Sequence, residues 1–351
     1  MIRLSVFKKL TRSRKFLFLL TVAVTIVTVF SWRQLYSPRA TINQPDSNFK
    51  AIITKEDFEA FSIFTNKFGP AQTYQFLKQE FTHNETKAHD FAHVIGIVAH
   101  DQEGIEGLKI CDTAYNYGCY HGFIEAFIAK NGIGKVTVIE EGCTRLGTVH
   151  APSCLHGIGH GVMVADSYNL EGALNHCSLL KNSSQIYCWD GVFMERIVAS
   201  MQTAKDKPIL SEQTLREPCE TIAKVFKNQC WRNQIAAWMQ FFAGNTQKVG
   251  KQCSLLEADY RPTCLESLGL MSTITVGENP DRLISSCRVA TANQLSDDCL
   301  IGAMKELLFE GKNPNLAYSL CQYVSAENQG KCLATYNDHF NQYQQRFKKR
   351  G

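Results

Sequence analysis

The first 110 residues of this 351-residue chain contain no cysteine, although the whole has 14. The first fifteen contain no acid, and residues 16–32 contain no charge of either sign. Overall charge is only +4, with much of the excess at the N-terminus, so the chain lacks the basic footprint of a nucleic-acid binder. It also has no nucleophile elbow, phosphate-binding loop or dinucleotide fingerprint, which removes the reaction classes those motifs serve. None of its cysteines are spaced as a short C-x-x-C, which disfavours a zinc reading of the thiols.

What is there begins with a basic head. Arg3, Lys8, Lys9, Arg12, Arg14 and Lys15 precede a 17-residue uncharged run, Phe16 to Trp32. As a helix this run spans about 26 Å, enough for a thin bilayer. The following SWRQLYSPRA offers no clean small-x-small cleavage site, because Arg33 intrudes, so the run is read as a retained signal anchor. The basic head keeps the N-terminus cytoplasmic and places the rest on the periplasmic, extracellular or lumenal side. That side is oxidising, which suits an even number of cysteines. The sequons at Asn84 and Asn182 carry meaning only in a eukaryotic source.

The cysteines count out a repeat. They fall in neighbouring pairs: Cys111 with Cys119, Cys143 with Cys154, Cys177 with Cys188, Cys219 with Cys230, Cys253 with Cys264, Cys287 with Cys299, and Cys321 with Cys332. Five of the seven gaps are eleven residues. From Cys143 the first members step by 34, 42, 34, 34 and 34, and the long step holds TAKDKPILSEQ, read as an insertion. A period near 34 is that of a two-helix repeat. LEGALNHCSLLK, REPCETIAKVFK, CWDGVFMERIVASM, CWRNQIAAWMQFFAG and CLIGAMKELLFEG all have apolar residues at helical spacing, with NSSQIY and EADYRPT read as loops between them. The first cysteine of each pair is therefore expected late in one helix and the second at the start of the next, with a disulfide stapling the hairpin.

This layout resembles the tetratricopeptide superfamily, particularly its cysteine-rich Sel1-like members. The resemblance covers residues about 70 to 340 and rests on period and cysteine placement. It implies an all-α, right-handed αα-hairpin solenoid and a role in protein binding, and supplies no metal site. The organisation expected is a tail at 1–15, an anchor at 16–32, a linker at 33–50, N-terminal repeats at 51–202, an insertion at 203–212 and C-terminal repeats at 213–345.

Aligning the second helices on their cysteines exposes a second pattern. They read CYHGFIEAF, CLHGIGHGV, CWDGVFMER, CWRNQIAAW, CLESLGLMS, CLIGAMKEL and CLATYNDHF, and KAHDFAHVI fits upstream with Lys87 in the cysteine's place. The third and seventh columns then hold His89 and His93, His121 and Glu125, His156 and His160. Asp190 follows in the third column, with Glu195 one residue beyond the seventh. Residues four apart share a helix face, and stacked repeats place equivalent helices side by side. Five imidazoles and a carboxylate would thus meet on one surface, a ligand set for iron, copper, manganese or zinc in a mononuclear or dinuclear centre. Gly122, Gly157, Gly159, Gly161 and Gly191 leave room for a close backbone or a substrate. A structural polar seam is the plainer alternative.

The remaining candidates are lesser ones. His100 can share the face of His93, while His150 and His176 fall outside the columns. Asp90, Glu140 and Glu141 are candidates to orient imidazoles, with a solvated face expected for the two glutamates. Trp189, Phe193, Trp231, Trp238, Phe241 and Phe242 read as core.

The functional expectation is a membrane-anchored, extracytoplasmic, metal-dependent enzyme, an oxidase, oxygenase or hydrolase. His89, His93, His121, Glu125, His156 and His160 would be its ligands, and Glu125 and Asp190 its catalytic carboxylates. The alternatives are a scaffold that binds a protein partner on its C-terminal repeats, and a metal store or carrier. No nucleic-acid partner is expected.

Overall fold

The computed structural model describes residues 47–81, 86–203, 210–289 and 294–347. The expected tail, the anchor, residues 33–46 of the linker and the Asn84 sequon lie outside the described residues, as do 204–209 of the insertion. Within the described residues no helix is long and apolar enough to cross a membrane. Their regular structure is helical, apart from a two-residue antiparallel ladder of Arg288–Val289 with Gln294–Leu295.

The chain divides into two compact units, one ending at Phe76 and the other starting at Leu77. The first contains α1 (Ser47–Lys55) and α2 (Phe58–Phe68), and α3 (Pro70–Glu80) runs on from it into the second. Ser47 to Lys50, expected in the linker, are therefore helical. Asp57 caps α2 by accepting the Ala60 N–H, and Phe49 packs its ring on Phe61, Phe64 and Phe76 at 5.3 to 5.9 Å.

The second unit holds the hairpins. Its second-cysteine helices are α5 (Gly118–Asn131), α7 (Ala151–Ala165), α9 (Asn182–Thr203), α10 (Lys227–Phe241), α12 (Arg261–Val276), α14 (Asp297–Phe309) and α16 (Gln329–Phe347). With α4 (Thr86–Glu103) in front, each packs on the next in the row. The first-cysteine helices are α6 (Val136–Thr144), α8 (Leu170–Cys177), α11 (Thr246–Ser254), α13 (Pro280–Ser286) and α15 (Pro314–Leu320).

All seven disulfides form within hairpins, in the pairing the spacing predicts. Cys111 bonds Cys119, Cys143 bonds Cys154 and Cys177 bonds Cys188. Cys219 bonds Cys230, Cys253 bonds Cys264, Cys287 bonds Cys299 and Cys321 bonds Cys332. No cysteine is free. The expected position of the first cysteine, late in a helix, is met by Cys143, Cys177 and Cys253. Four others depart from it. Cys111 follows a 3-10 turn, Cys219 lies among turns, Cys287 ends α13 as its cap, and Cys321 follows α15 at the start of a 3-10 turn. The second cysteines, Cys119, Cys154, Cys188, Cys230, Cys264, Cys299 and Cys332, all lie in the opening turns of their helices, as expected.

A capping signal accompanies the cysteines. Asn169, Asn245, Asn279 and Asn313 each stand eight residues before a first cysteine, and each accepts a backbone N–H of the helix it opens. Such a cap contributes about 1 kcal/mol and fixes where the helix starts.

Two local expectations fail for identifiable reasons. REPCETIAKVFK is not a helix but a series of turns followed by a 3-10 turn at Lys224–Phe226. Pro218 removes a donor and its ring clashes with the preceding turn, which outweighs the apolar spacing. NSSQIY is not a loop but the first turns of α9. The buried carboxylate of Glu140, only 2% exposed, accepts the Lys181 N–H at 2.9 Å and so serves the start of that helix. Glu140 is accordingly not solvated, whereas Glu141 is exposed as expected.

Glycine sets the spacing of three helix pairs. A Cβ built on Gly96 of α4 would meet the Cys119 carbonyl oxygen of α5 at 2.0 Å, and one on Gly122 would meet that of His93 at 2.0 Å. The same reciprocal contact joins α7 to α9 through Gly159 and Gly191, and α12 to α14 through Gly269 and Gly302. This equivalence corrects the register of α4. Gly96 matches Gly159 only if Phe91, not Lys87, takes the cysteine's place, so that His93 matches His156 and His89 lies one turn earlier. The shift is four residues, which returns the same side of the helix to the interior.

Candidate metal centre

Four neighbouring helices supply the site: α4 carries His89 and His93, α5 carries His121 and Glu125, α7 carries His156 and His160, and α9 carries Asp190 and Glu195. The glycine contacts let α4 approach α5, and α7 approach α9, backbone against backbone, so short imidazoles can reach one another across the seams.

The five histidines come together. The Nε2 atoms of His89 and His93 lie 3.1 Å apart, and those of His156 and His160 lie 3.0 Å apart. The His121 ring stands between the pairs, stacked on His160 at 4.3 Å and edge-on to His93 and His89 at 5.4 and 5.5 Å. His89, His93 and His121 offer nitrogens that all lie within 4.8 Å of one another, a spacing able to hold a metal ion. His121 is 7% exposed, and its buried Nε2 has no hydrogen-bond partner.

Outer contacts fix which nitrogen carries the proton. His89 Nδ1 lies 2.7 Å from the Tyr115 carbonyl, which can only accept, so in the neutral ring Nε2 keeps its lone pair. His156 Nδ1 faces the Asp190 carboxylate at 3.0 Å, and His160 Nδ1 faces Glu195 at 2.8 Å. Glu195 also accepts from the Tyr168 hydroxyl at 3.2 Å, and Asp190 accepts from Asn233 at 2.8 Å with Arg232 at 3.4 Å. An imidazole held by a carboxylate or carbonyl behind it, with its other nitrogen aimed inward, is the usual arrangement around protein-bound metals. Glu125 stands at the rim, 3.7 Å from His93 Nδ1.

Charge follows from the surroundings. Burial, reinforced by the neighbouring imidazoles, holds His121 well below the ordinary histidine range. Burial also lowers His160, against the opposing pull of Glu195, and it lowers His89 together with His93. Burial works against the charge on Asp190, but Arg232 and the hydrogen bonds from His156 and Asn233 outweigh it and bring the carboxyl down to about 2. Glu195 is lowered too, its burial offset chiefly by His160. Neutral rings beside ionised carboxylates are the protonation states a cation site requires.

These shifts predict an acid-sensitive metal-free protein. Each lowered histidine binds protons more weakly folded than unfolded, so stability is full above about pH 6.5 and falls as pH drops below it. The slope is about 1.4 kcal/mol per pH unit for each proton the unfolded chain gains in excess. Chelator-treated protein should melt at a lower temperature at pH 5.5 than at pH 7.5. An equal or higher melting temperature at pH 5.5 would contradict the burial of these rings.

Several expected participants take other places. His100 is buried against Phe123 and Phe127 and does not join the cluster. His176 lies 3.7 Å from Asp166, and Asp90 is exposed. Trp189, Phe193, Trp231 and Trp238 are buried, while Phe241 and Phe242 are half-buried against each other. Asp190 has one oxygen on His156 and the other on Asn233 and Arg232.

Residues that no motif marked also shape the site. Tyr115, Asn116 and Tyr117 run in succession through left-handed backbone, with φ of 54°, 49° and 64°, which costs each of these non-glycine residues free energy. This turn delivers the carbonyl that holds His89 and lays the Tyr117 ring 5.9 Å from His156 and 6.3 Å from His121. Tyr117 also meets Phe309 of α14 at 6.0 Å, so the row of helices curves far enough for its early and late members to touch.

No protein-family model matches the chain, and neither a curated protein nor a solved structure matches it, so its likeness to disulfide-stapled helical repeats is one of layout.

Proposed function

We propose that this protein is a metal-dependent enzyme whose centre is built on His89, His93 and His121. The observation that carries the reading is the buried, unpartnered Nε2 of His121 beside two imidazoles, one of which is locked by the Tyr115 carbonyl with its free nitrogen inward. A polar seam would be expected to satisfy such an atom, because an unpaired buried nitrogen costs about 1–3 kcal/mol. A cation would satisfy it instead. Bound there, iron, copper or manganese would supply dioxygen or redox chemistry, and zinc would supply an activated water. Glu125, 3.7 Å from His93 Nδ1, would serve as a further ligand or as a base.

The reading extends to the rest of the chain. Complete pairing of fourteen cysteines supports an oxidising compartment. Residues 16–32 are the proposed anchor, with the N-terminus cytoplasmic and the helical domain on the periplasmic, extracellular or lumenal side. The hairpins are proposed to wind as a right-handed solenoid, with the C-terminal repeats as scaffold or partner surface.

Elemental analysis of the purified, disulfide-intact chain tests the central claim. Iron, copper, manganese or zinc should be present, or taken up from solution, in stoichiometric amount. His93→Ala and His121→Ala should lose the ion held by His89, His93 and His121 while non-reducing peptide maps stay unchanged, and His339→Ala, outside the third and seventh columns, should keep it. Full metal content in His121→Ala, or no uptake by the wild type, would overturn the reading.

A further inference from the structure

We infer that the centre holds two cations, the second on His156 and His160, an inference that rests on reading the first site as a metal centre. Three observations carry it.

The first is the bite. Two nitrogens bound to one ion at about 2.0–2.1 Å lie about 2.8–3.0 Å from each other at an octahedral angle and about 3.3–3.4 Å at a tetrahedral one. The separations of His156 from His160, 3.0 Å, and of His89 from His93, 3.1 Å, fall within that span. Without a cation or a shared proton, the second pair would set two lone pairs face to face. Both outer nitrogens of the second pair point at carboxylates, Asp190 and Glu195, so both inner ones are free to bind. Those two carboxylates also offset the charge of a divalent ion.

The second is that one ion does not serve all five rings. Among the described residues, the set whose nitrogens come within 4.8 Å of one another is His89, His93 and His121, and the second pair is not part of it. His121 stands between, so an ion on each pair would flank that ring.

The third is an internal comparison. The same glycine-locked helix pair occurs three times. In α4/α5 and α7/α9 the residue whose carbonyl meets the second glycine is a histidine with a histidine partner one turn away. In α12/α14 it is Glu266, held by Lys305 at 2.9 Å. The backbone scaffold therefore does not itself require an imidazole pair, and the pair occurs where a second site would use it.

The test is a titration of the chelator-stripped, disulfide-intact full chain with Zn2+, followed by calorimetry and elemental analysis. Two equivalents should bind. His156→Gln combined with His160→Gln should leave one, and so should His89→Gln combined with His93→Gln. Glu195→Gln, which keeps the shape and removes the charge behind His160, should weaken one equivalent about 10- to 100-fold and leave the other unchanged. The second site is refuted if the wild type saturates at one equivalent, or if the His156/His160 variant still binds two. Loss of a single shared equivalent in both double variants also refutes it and leaves the metal reading standing. Absence of any binding overturns both. An unchanged non-reducing peptide map in each variant shows that the fold was kept.

Discussion

Complete reduction of the seven disulfides is expected to unfold the hairpin unit at 25 °C without added denaturant. Each bond closes a loop of about a dozen residues, and the chain-entropy model assigns such a loop about 3 kcal/mol. Seven of them together approach 20 kcal/mol, whereas net domain stability is about 5–15 kcal/mol. Removing the staples therefore removes more than the surplus that keeps the unit folded, and even two-thirds of the model value, about 14 kcal/mol, reaches the upper part of that range. The helices give independent reason to expect this. Several first-cysteine helices are seven to nine residues long, below the length at which an isolated helix is stable in water. Far-UV circular dichroism before and after dithiothreitol measures the effect. A helical signal and a melting temperature that survive full reduction would show that packing alone holds the hairpins.

Gly302→Ala is the second large effect, and its sign is opposite to helix propensity. Alanine is favoured over glycine inside a helix by about 1 kcal/mol. At Gly302, however, the new Cβ would lie 1.9 Å from the Glu266 carbonyl oxygen, and at Gly269 it would lie 1.9 Å from that of Cys299. Both obstacles are backbone, which cannot rotate aside, so α12 and α14 must part by an ångström or more. Overpacking of this kind costs about 1–3 kcal/mol even where side chains can adjust, and a rigid seam belongs at the upper end. A net loss of about 2 kcal/mol or more is expected for either substitution. Gly330→Ala in α16, where nothing lies within 4 Å, should be neutral or stabilise by up to about 1 kcal/mol. Urea midpoints at constant m-value decide the matter. Equal midpoints for Gly302→Ala and Gly330→Ala would refute the close approach.

The sequence made the hairpins legible because cysteine is rare and its pairing geometry strict. A gap of eleven repeated five times leaves little choice of partner, and all seven pairs, from Cys111–Cys119 to Cys321–Cys332, formed as read. The histidine columns were legible for a related reason, since a cysteine fixes the phase of each helix behind it. Where no cysteine stood, in α4, phase was lost by one turn, and the error did little harm because one turn restores the face. The contacts that complete the site were not legible. Tyr168 and Asn233 reach Glu195 and Asp190 from 27 and 43 residues away along the chain, and no periodicity encodes such partners. The left-handed turn at Tyr115–Tyr117 was hidden because it uses residues that normally avoid that backbone. The asparagine eight residues ahead of Cys177, Cys253, Cys287 and Cys321 was there to be read, and it would have placed those helix starts.

The glycine seams have a mechanical meaning. Backbone rests on backbone between α4 and α5 and between α7 and α9, so each pair behaves as one stiff beam. Between α5 and α7 the contact is softer: Gly157 and Gly161 of α7 face the side chains of Ile124 and Ile128, which can change rotamer. The joint between the two beams therefore passes through the middle of the histidine cluster, where His121 of one leans on His160 of the other. A small rocking of beam against beam would alter the spacing of the two imidazole pairs while leaving each pair's own bite unchanged, much as pliers change their gap without reshaping their jaws.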